Sequence, residues 1–161
     1  DVDRQATIRA LLSSEKSFVK SARSVIRSHF LPLRTRDSRA WLSGLPHAIT
    51  RFFDWLEDIA NIHTTLVRSL TAAVAADRIT NESLHALRAF VAQLEVYTPY
   101  LVKLDSTRET LRWHANQDEG DFGEYLRLKA RERAPTEWTL EQFVDEPARR
   151  LREYLALFEV R

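Results

Sequence analysis

Glu15 is the residue of this sequence whose position most needs a chemical explanation. On a helix that turns about 100° per residue, it falls near the middle of an apolar stripe. The apolar members of that stripe are Ile8, Leu11, Leu12, Val19, Ala22 and Ile26. An unpaired carboxylate in a protein core is strongly destabilising or takes up a proton. Glu15 therefore needs a cationic partner, or it belongs to a surface that binds another molecule.

Histidines and neighbouring carboxylates are the other candidates for chemistry. His63 lies on an apolar helical stripe, but no other histidine makes the HExxH spacing of a metal site with it. The others are His29, His47, His85 and His114. A hydrogen-bonded core histidine is therefore the favoured interpretation of His63. Glu57 and Asp58 are adjacent on a helix and point about 100° apart, so they cannot converge as an acid–base pair.

Several classes of enzyme site are missing from the sequence. Its three glycines form no phosphate-binding loop, and no serine lies in a nucleophile-elbow context. The lack of cysteine excludes disulfides, thiolate zinc sites and cysteine nucleophiles. We therefore predict neither covalent catalysis nor a cofactor. Arg34, Arg36 and Arg39, with nearby Trp41, could bind phosphates or lipid headgroups, but a short basic loop is more often simply solvated.

The composition predicts one soluble domain over residues 1–161. With 44% hydrophobic residues, 161 residues suffice for one core and are too few for two ordinary domains. The net charge of +1 gives no field that attracts nucleic acid, and membrane contact is expected only through flanking domains. No apolar run or signal segment suggests insertion into a membrane, so we expect a cytoplasmic protein. Since the sequence starts at Asp1 and contains no methionine, we expect it to be part of a longer protein.

Strong 3.6-residue periodicity and scarce glycine predict an all-α fold. The first helix is expected over residues 3–31, ending at Pro32, because proline interrupts the helical hydrogen-bond ladder. The second is expected over residues 48–76, with apolar positions spaced alternately by three and four. Those positions are Ile49, Phe52, Leu56, Ile59, His63, Leu66 and Leu70.

A third helix is predicted to start at a cap formed by Thr80 or Asn81 and to break or kink at Pro99. The next helix is expected to run through Leu104 and Leu111 to about Trp113. The apolar face of the third helix is predicted to consist of Leu84, Leu87, Val91 and Leu94.

Two capping-box patterns mark the remaining helices. DFGE is expected to open a short helix that carries Phe122, Tyr125 and Leu126, and TLEQ to open the last helix. Pro147 lies inside the last helix and predicts a kink there. The apolar positions of that helix are Leu140, Val144, Pro147, Leu151, Tyr154 and Phe158.

Four segments carry a further pattern along nearly the whole chain. They are LLSSEKSFV, FFDWLEDIANIHTTLVRSL, YTPYL and TLEQFVDEPARRLREYLALF. Their order resembles the Dbl homology domain, the catalytic module of Rho-family guanine-nucleotide exchange factors. The family motifs are approximately LLxTExxYVxxL, FxNIxxIxxFHxxLLxxL, YxxY and LxxFLxxPxQRxxRYxLLL. The resemblance implies an elongated all-α bundle that promotes nucleotide exchange on a Rho-family small GTPase without covalent chemistry.

The same resemblance implies which residues contact the GTPase. In the family, the glutamate at the position of Glu15 contacts the first switch loop of the GTPase and helps to open its nucleotide pocket. Exchange of this kind is differential binding, because the exchange factor favours the nucleotide-free GTPase. The expected GTPase-binding residues are Glu15, Gln142, Glu146, Arg149 and Arg150.

Three positions depart from the family pattern and leave alternatives open. Glu146 stands where the family usually has lysine, Arg149 where it has glutamine, and Leu155 where it has proline. The reversed charge at Glu146 favours a second hypothesis, a non-catalytic helical interaction module derived from this domain. The family's final helix is expected beyond Arg161. A structural interpretation of Glu15 also stands, in which Arg149 or Arg150 pairs with it and holds two helices in register.

Overall fold

In the computed structural model, residues 2–34, 45–117 and 119–159 are described, and their side chains up to residue 157. Within these ranges the chain is helical and contains no β-strand, which confirms the predicted all-α bundle. The α-helices are α1 (Val2–Val25), α2 (Leu31–Arg34), α3 (His47–Ala75), α4 (Ile79–Ala92), α5 (Tyr97–Ala115), α6 (Asp121–Glu132) and α7 (Leu140–Glu159). A π-helical turn, Ile26–Phe30, joins α1 to α2, and a 3-10 turn, Leu94–Val96, precedes α5.

Helix α3 is the centre of the bundle and packs against α1, α4, α5 and α7. Every residue of its predicted stripe is at most 2% exposed. Further buried positions, Phe53, Ala60 and Ile62, widen this stripe because the helix has neighbours on several sides. Phe30 stacks on Phe53 with ring centroids 4.0 Å apart, which fixes the end of the first helical segment against α3.

The prediction that the first helix ends at Pro32 is wrong, since helical structure continues to Arg34. A proline ring clashes with the carbonyl four residues before it, here that of Ser28. Ser28 lies in the π-helical turn, where the N–H of Leu31 bonds to the carbonyl of Ile26. The wider turn makes room for the ring, so the chain bulges instead of stopping.

The predicted start and apolar face of the third helix are also wrong. Helix α4 begins at Ile79, one residue before Thr80, and its N-cap Arg78 makes no side-chain capping bond. Ile79 is only 2% exposed, so burial of this side chain fixes the helix start. Leu84 and Val91 are exposed by 49% and 47%. The face that packs inward is Ile79, Ser83, Ala86 and Phe90, with Leu87 and Leu94 half-buried beside it.

Around Pro99 and before α6, the helix boundaries differ from the sequence prediction. The break comes before Pro99, which lies in the first turn of α5, where its missing N–H costs nothing. Helix α6 begins at Asp121 itself, with Gly120 as N-cap at φ 117°, so Asp121 does not form the predicted capping box. Gly123 approaches α5 so closely that a Cβ would lie 2.2 Å from the carbonyl oxygen of His114. This contact positions the start of α6.

The capping box that opens α7 is confirmed. The N–H of Thr139 donates to Gln142 Oε1 at 2.9 Å, and the N–H of Gln142 donates to Thr139 Oγ1 at 3.0 Å. Pro147 lies within the helix, as predicted. At this point Tyr100 of α5 inserts its hydroxyl, which donates to the carbonyl of Val144 and accepts from the N–H of Ala148. A side chain inserted in the ladder beside a proline is a recognised cause of helix bending.

Candidate functional site

Glu15 is completely buried where α1, α3 and α7 meet, and it is paired there on both carboxylate oxygens. Its Oε1 accepts from Nε of Arg150 at 2.8 Å, and its Oε2 lies 2.8 Å from Nδ1 of His63. The structural interpretation, in which Arg149 or Arg150 pairs with Glu15, is therefore confirmed for Arg150. Glu15 and Arg150 are 135 positions apart in sequence, so this pair ties the two ends of the described chain together.

Helix α5 closes the cluster from the side opposite Glu15. The hydroxyl of Tyr97 lies 2.6 Å from Nε2 of His63. Because an ionised carboxylate can only accept, Nδ1 of His63 donates to Glu15, and Nε2 is left to bond with the hydroxyl of Tyr97. His63 is thus a satisfied core histidine, as expected. We call Glu15, His63, Tyr97 and Arg150 the Glu15 cluster.

The electrostatics of the Glu15 cluster hold Glu15, Arg150 and Tyr97 in their usual charge states. Burial alone would raise the pKa of Glu15, but His63, Tyr154 and Arg150 outweigh that effect and hold the pKa below its ordinary value. Burial opposes the charge on Arg150, and the negative charge of Glu15 reverses the balance and raises its pKa. Burial and the charge of Glu15 raise the pKa of Tyr97, so its hydroxyl remains a donor.

Arg150 uses its remaining donors on α1 and on its own helix, α7. Its Nη2 donates to Ser14 Oγ at 2.7 Å and its Nη1 to Glu153 Oε2 at 2.8 Å. The guanidinium also lies 4.9 Å from the ring centroid of Tyr154. A guanidinium engaged on three sides is held rigidly, so Arg150 fixes the register of α7 on α1.

The other predicted contact residues of α7 lie on its outer side. Arg149 has a 65% exposed side chain and makes only long ion pairs, 3.5 Å to Glu146 and 3.7 Å to Glu153. Glu146 is partly exposed, at 23%. Gln142 is exposed and occupied by the capping box with Thr139. The structure therefore separates the five predicted residues into a buried pair and three that reach solvent.

A groove of about 240 Å³ lies between α1 and α7, directly over the ion pair. Its walls are Ala10, Leu11 and Ser14 on one side and Arg150, Glu153 and Leu157 on the other. Through this groove a side chain of another molecule would reach Arg150 before it reached Glu15.

Sequence reasoning assigned no role to Tyr97, Tyr100 or Tyr154, although it marked the first two as a family-like YxxY pair. The signal that points to a role is their spacing. Residues three apart lie on one face of a helix, so both hydroxyls reach inward from α5, one to His63 and one to the backbone of α7. A buried tyrosine hydroxyl requires a partner, but the sequence alone does not identify it.

The basic stretch after α1 is only partly described. Arg34 forms ion pairs with Asp54 and with Glu57, the latter at 2.6 Å, so it binds its own chain. Arg36, Arg39 and Trp41 lie outside the described residues, as does the side chain of Phe158. In the described part of the chain, no group of three or more potential ligands could hold a metal ion. None of the described helices is long and apolar enough to cross a membrane.

Comparison with known proteins gives one match. The family model of the RhoGEF domain covers residues 7–160, which include α1 through α7 apart from the first residues of α1. Searches of curated proteins and of solved structures found no match.

Proposed function

Because the chain belongs to the RhoGEF domain family, we propose that residues 1–161 form a single domain that binds a Rho-family small GTPase and promotes release of its GDP. On this proposal the chain acts in the cytoplasm and its partner is a protein rather than nucleic acid. Contact with a membrane is expected only through flanking domains, if there are any. The reaction needs no covalent step or cofactor, because tighter binding of the nucleotide-free GTPase is enough to shift the equilibrium.

The observation that supports a binding face on α1 and α7 is the ion pair between Glu15 and Arg150. It joins the first and the last family-like segments into one surface, with the exposed side chains of α7 beside it. We propose that Gln142, Glu146 and Arg149 contact the GTPase directly. Glu15 and Arg150 then act as positioning residues, which hold α1 and α7 in the register that this surface requires.

For Glu15 to contact the GTPase itself, Arg150 would have to leave it. Removing the partner of a buried charge costs roughly 3–5 kcal/mol, so a GTPase that binds Glu15 must supply an equivalent donor. The groove between α1 and α7 is the route for such an exchange of partners. The two roles of Glu15 therefore differ in whether its loss affects stability or nucleotide release.

Release of a fluorescent GDP analogue from a panel of Rho-family GTPases tests the proposed function. We expect the chain to accelerate release from at least one of them and Arg149→Glu to reduce this rate by roughly tenfold, about 1.4 kcal/mol of lost differential binding. Arg88→Glu is the matched control, since Arg88 is an exposed arginine of α4 outside this face. It should leave the rate unchanged.

Glu146→Lys restores the charge that the family usually has at this position and should increase release. If neither the parent nor this variant accelerates release, in a protein that includes any following helix, the proposed activity is wrong. A pull-down of the same GTPases would then decide whether the domain is a non-catalytic interaction module.

A further inference from the structure

A second cavity, of about 370 Å³, lies between α5, α6 and the start of α7, away from the Glu15 cluster. Its floor is apolar. Leu111 of α5 and Leu140 and Val144 of α7 are each at most 7% exposed and line it. A cavity of this size with apolar walls and a few polar groups is typical of small-molecule sites.

The rim of this cavity, which we call the α5–α6–α7 cavity, is strongly basic. Helix α6 turns Lys129 toward it together with Leu126, because residues three positions apart share a helical face, and Arg133 follows at the C-cap of the helix. The lining cations are Arg108, Arg112, Arg127, Lys129 and Arg133. Among the described lining residues, Glu141 is the one carboxylate.

Two of these cations have no acidic partner in the described part of the chain. Arg127 donates to the main-chain carbonyls of Ala115 and Gln117, and Nη1 of Arg133 donates to carbonyls of the connection between α6 and α7. Carbonyl partners orient a guanidinium but leave its charge unneutralised. The charge on this side of the cavity is therefore available to a ligand.

Arg133 also carries an unused donor. Its Nε is buried and has no hydrogen-bond partner among the described residues. A buried donor without a partner is destabilising, so a native structure normally satisfies it. Because this Nε is itself buried, the side chain of Arg133 would have to turn toward the cavity before a ligand oxygen could accept from it.

We propose that the α5–α6–α7 cavity binds a small phosphate monoester that carries an apolar group. The phosphate lies against Arg127 and Arg133, where two guanidinium groups match its charge and its several acceptor oxygens. The apolar group packs on the floor formed by Leu111, Leu140 and Val144. This inference does not depend on the proposed exchange activity.

Glu141 regulates access to this site. It pairs with Arg112 across α5 and α7 at 3.1 Å, and both side chains are 59% exposed. An exposed pair of this kind contributes little, so an incoming phosphate can displace the carboxylate from Arg112. Removal of the negative charge at Glu141 should therefore strengthen binding.

Phenyl phosphate is the probe, and titration calorimetry with NMR of the intact chain is the measurement. We expect binding that shifts the signals of the cavity residues and weakens as salt is added. Arg133→Gln should weaken binding by about tenfold, since one charged hydrogen-bond partner is lost, and Glu141→Gln should tighten it. Arg131→Gln is the matched control, because this exposed arginine of the same helix does not line the cavity.

Inorganic phosphate and benzyl alcohol separate the two halves of the ligand. Each should bind much more weakly than phenyl phosphate. If phenyl phosphate does not bind, if either fragment binds as tightly, or if Arg131→Gln weakens binding as much as Arg133→Gln, the proposal is wrong. Circular dichroism shows whether Arg133→Gln still folds; if it does not, the Glu141→Gln result decides, because that residue is exposed and its variant retains the fold.

Discussion

The Glu15 cluster and the α5–α6–α7 cavity are both built partly from α7, and they use arginine in opposite ways. In the cluster, Arg150 donates to Glu15, Ser14 and Glu153, and its charge is neutralised by carboxylates. In the cavity, Arg133 donates from Nη1 to carbonyls, and its buried Nε has no partner among the described residues. The charge of Arg150 is neutralised by carboxylates of its own chain, whereas the charge of Arg133 is not neutralised among the described residues.

Burial of a charged residue does not by itself indicate function. Glu15 and Arg150 are more deeply buried than Arg133, yet their partners account for their positions. What distinguishes a binding site is a charge or donor that the chain leaves unsatisfied. The surface proposed to bind the GTPase lies beside the closed cluster and depends on it for its register.

The largest effect is expected from Glu15→Ala, which leaves Arg150 and His63 without their shared acceptor. The free energy of unfolding should fall by about 4 kcal/mol, because a buried charge is stranded. Urea denaturation followed by circular dichroism measures it. Glu153→Ala is the control: it removes the half-exposed partner of Arg150 and should cost less than about 1 kcal/mol. A Glu15→Ala variant of normal stability that releases nucleotide tenfold more slowly would instead assign Glu15 to direct contact with the GTPase.

A smaller loss of folding stability is expected when the pH is lowered. The pH at which it occurs distinguishes the α5–α6–α7 cavity from the Glu15 cluster. Burial, assisted by the charge of Lys129, lowers the pKa of His29 at the cavity from 6.5 to about 4. Between these values the unfolded chain binds a proton that the folded chain does not, so stability falls as the pH falls, by about 3 kcal/mol. The pKa of Glu15 is lowered too, so protonation of Glu15 reduces stability only at still lower pH, below its ordinary pKa of 4.5.

His29→Gln provides the comparison, because an amide does not titrate in this range. Urea denaturation at pH 6.5 and at pH 4 should show a loss of stability in the parent that is larger than the loss in the variant. Equal losses would mean that His29 is protonated in the folded chain.

The smallest of the three effects is expected from Gly123→Ala, which tests the wall between α5 and α6. The added Cβ would meet the backbone at His114, and a carbonyl oxygen cannot move aside as a side chain can. We expect a loss of about 2 kcal/mol and a lower melting temperature, measured by calorimetry. Arg131→Ala, at an exposed position of the same helix, should change stability by less than about 0.5 kcal/mol. Comparable values for the two variants would contradict the close approach of α5 and α6.

Prediction from the sequence was most accurate where a single local pattern allowed only one arrangement of the helix. The spacing of apolar residues in α3 identified its buried face, and the TLEQ pattern identified the cap of α7. Prediction from the sequence failed in α4, where either of two apolar faces could have been the buried one. There Phe90 and Ile79 pack inward, while Leu84 and Val91 stay exposed, because the positions of α1 and α3 decide which face is covered.

An all-α chain, a family-like order of segments, and a carboxylate that either has a partner or belongs to a binding surface could all be predicted from the order of residues. That Arg150 rather than Arg149 is the partner follows from the packing of α7 on α1, since adjacent residues of a helix point about 100° apart and only one can face α1. The packing of α5, α6 and α7 also brings four cations of α5 and α6, and Arg133 at the end of α6, to the lining of one cavity. Arg108 and Arg133 are far apart in sequence, and no periodicity within one helix can reveal a site formed between helices.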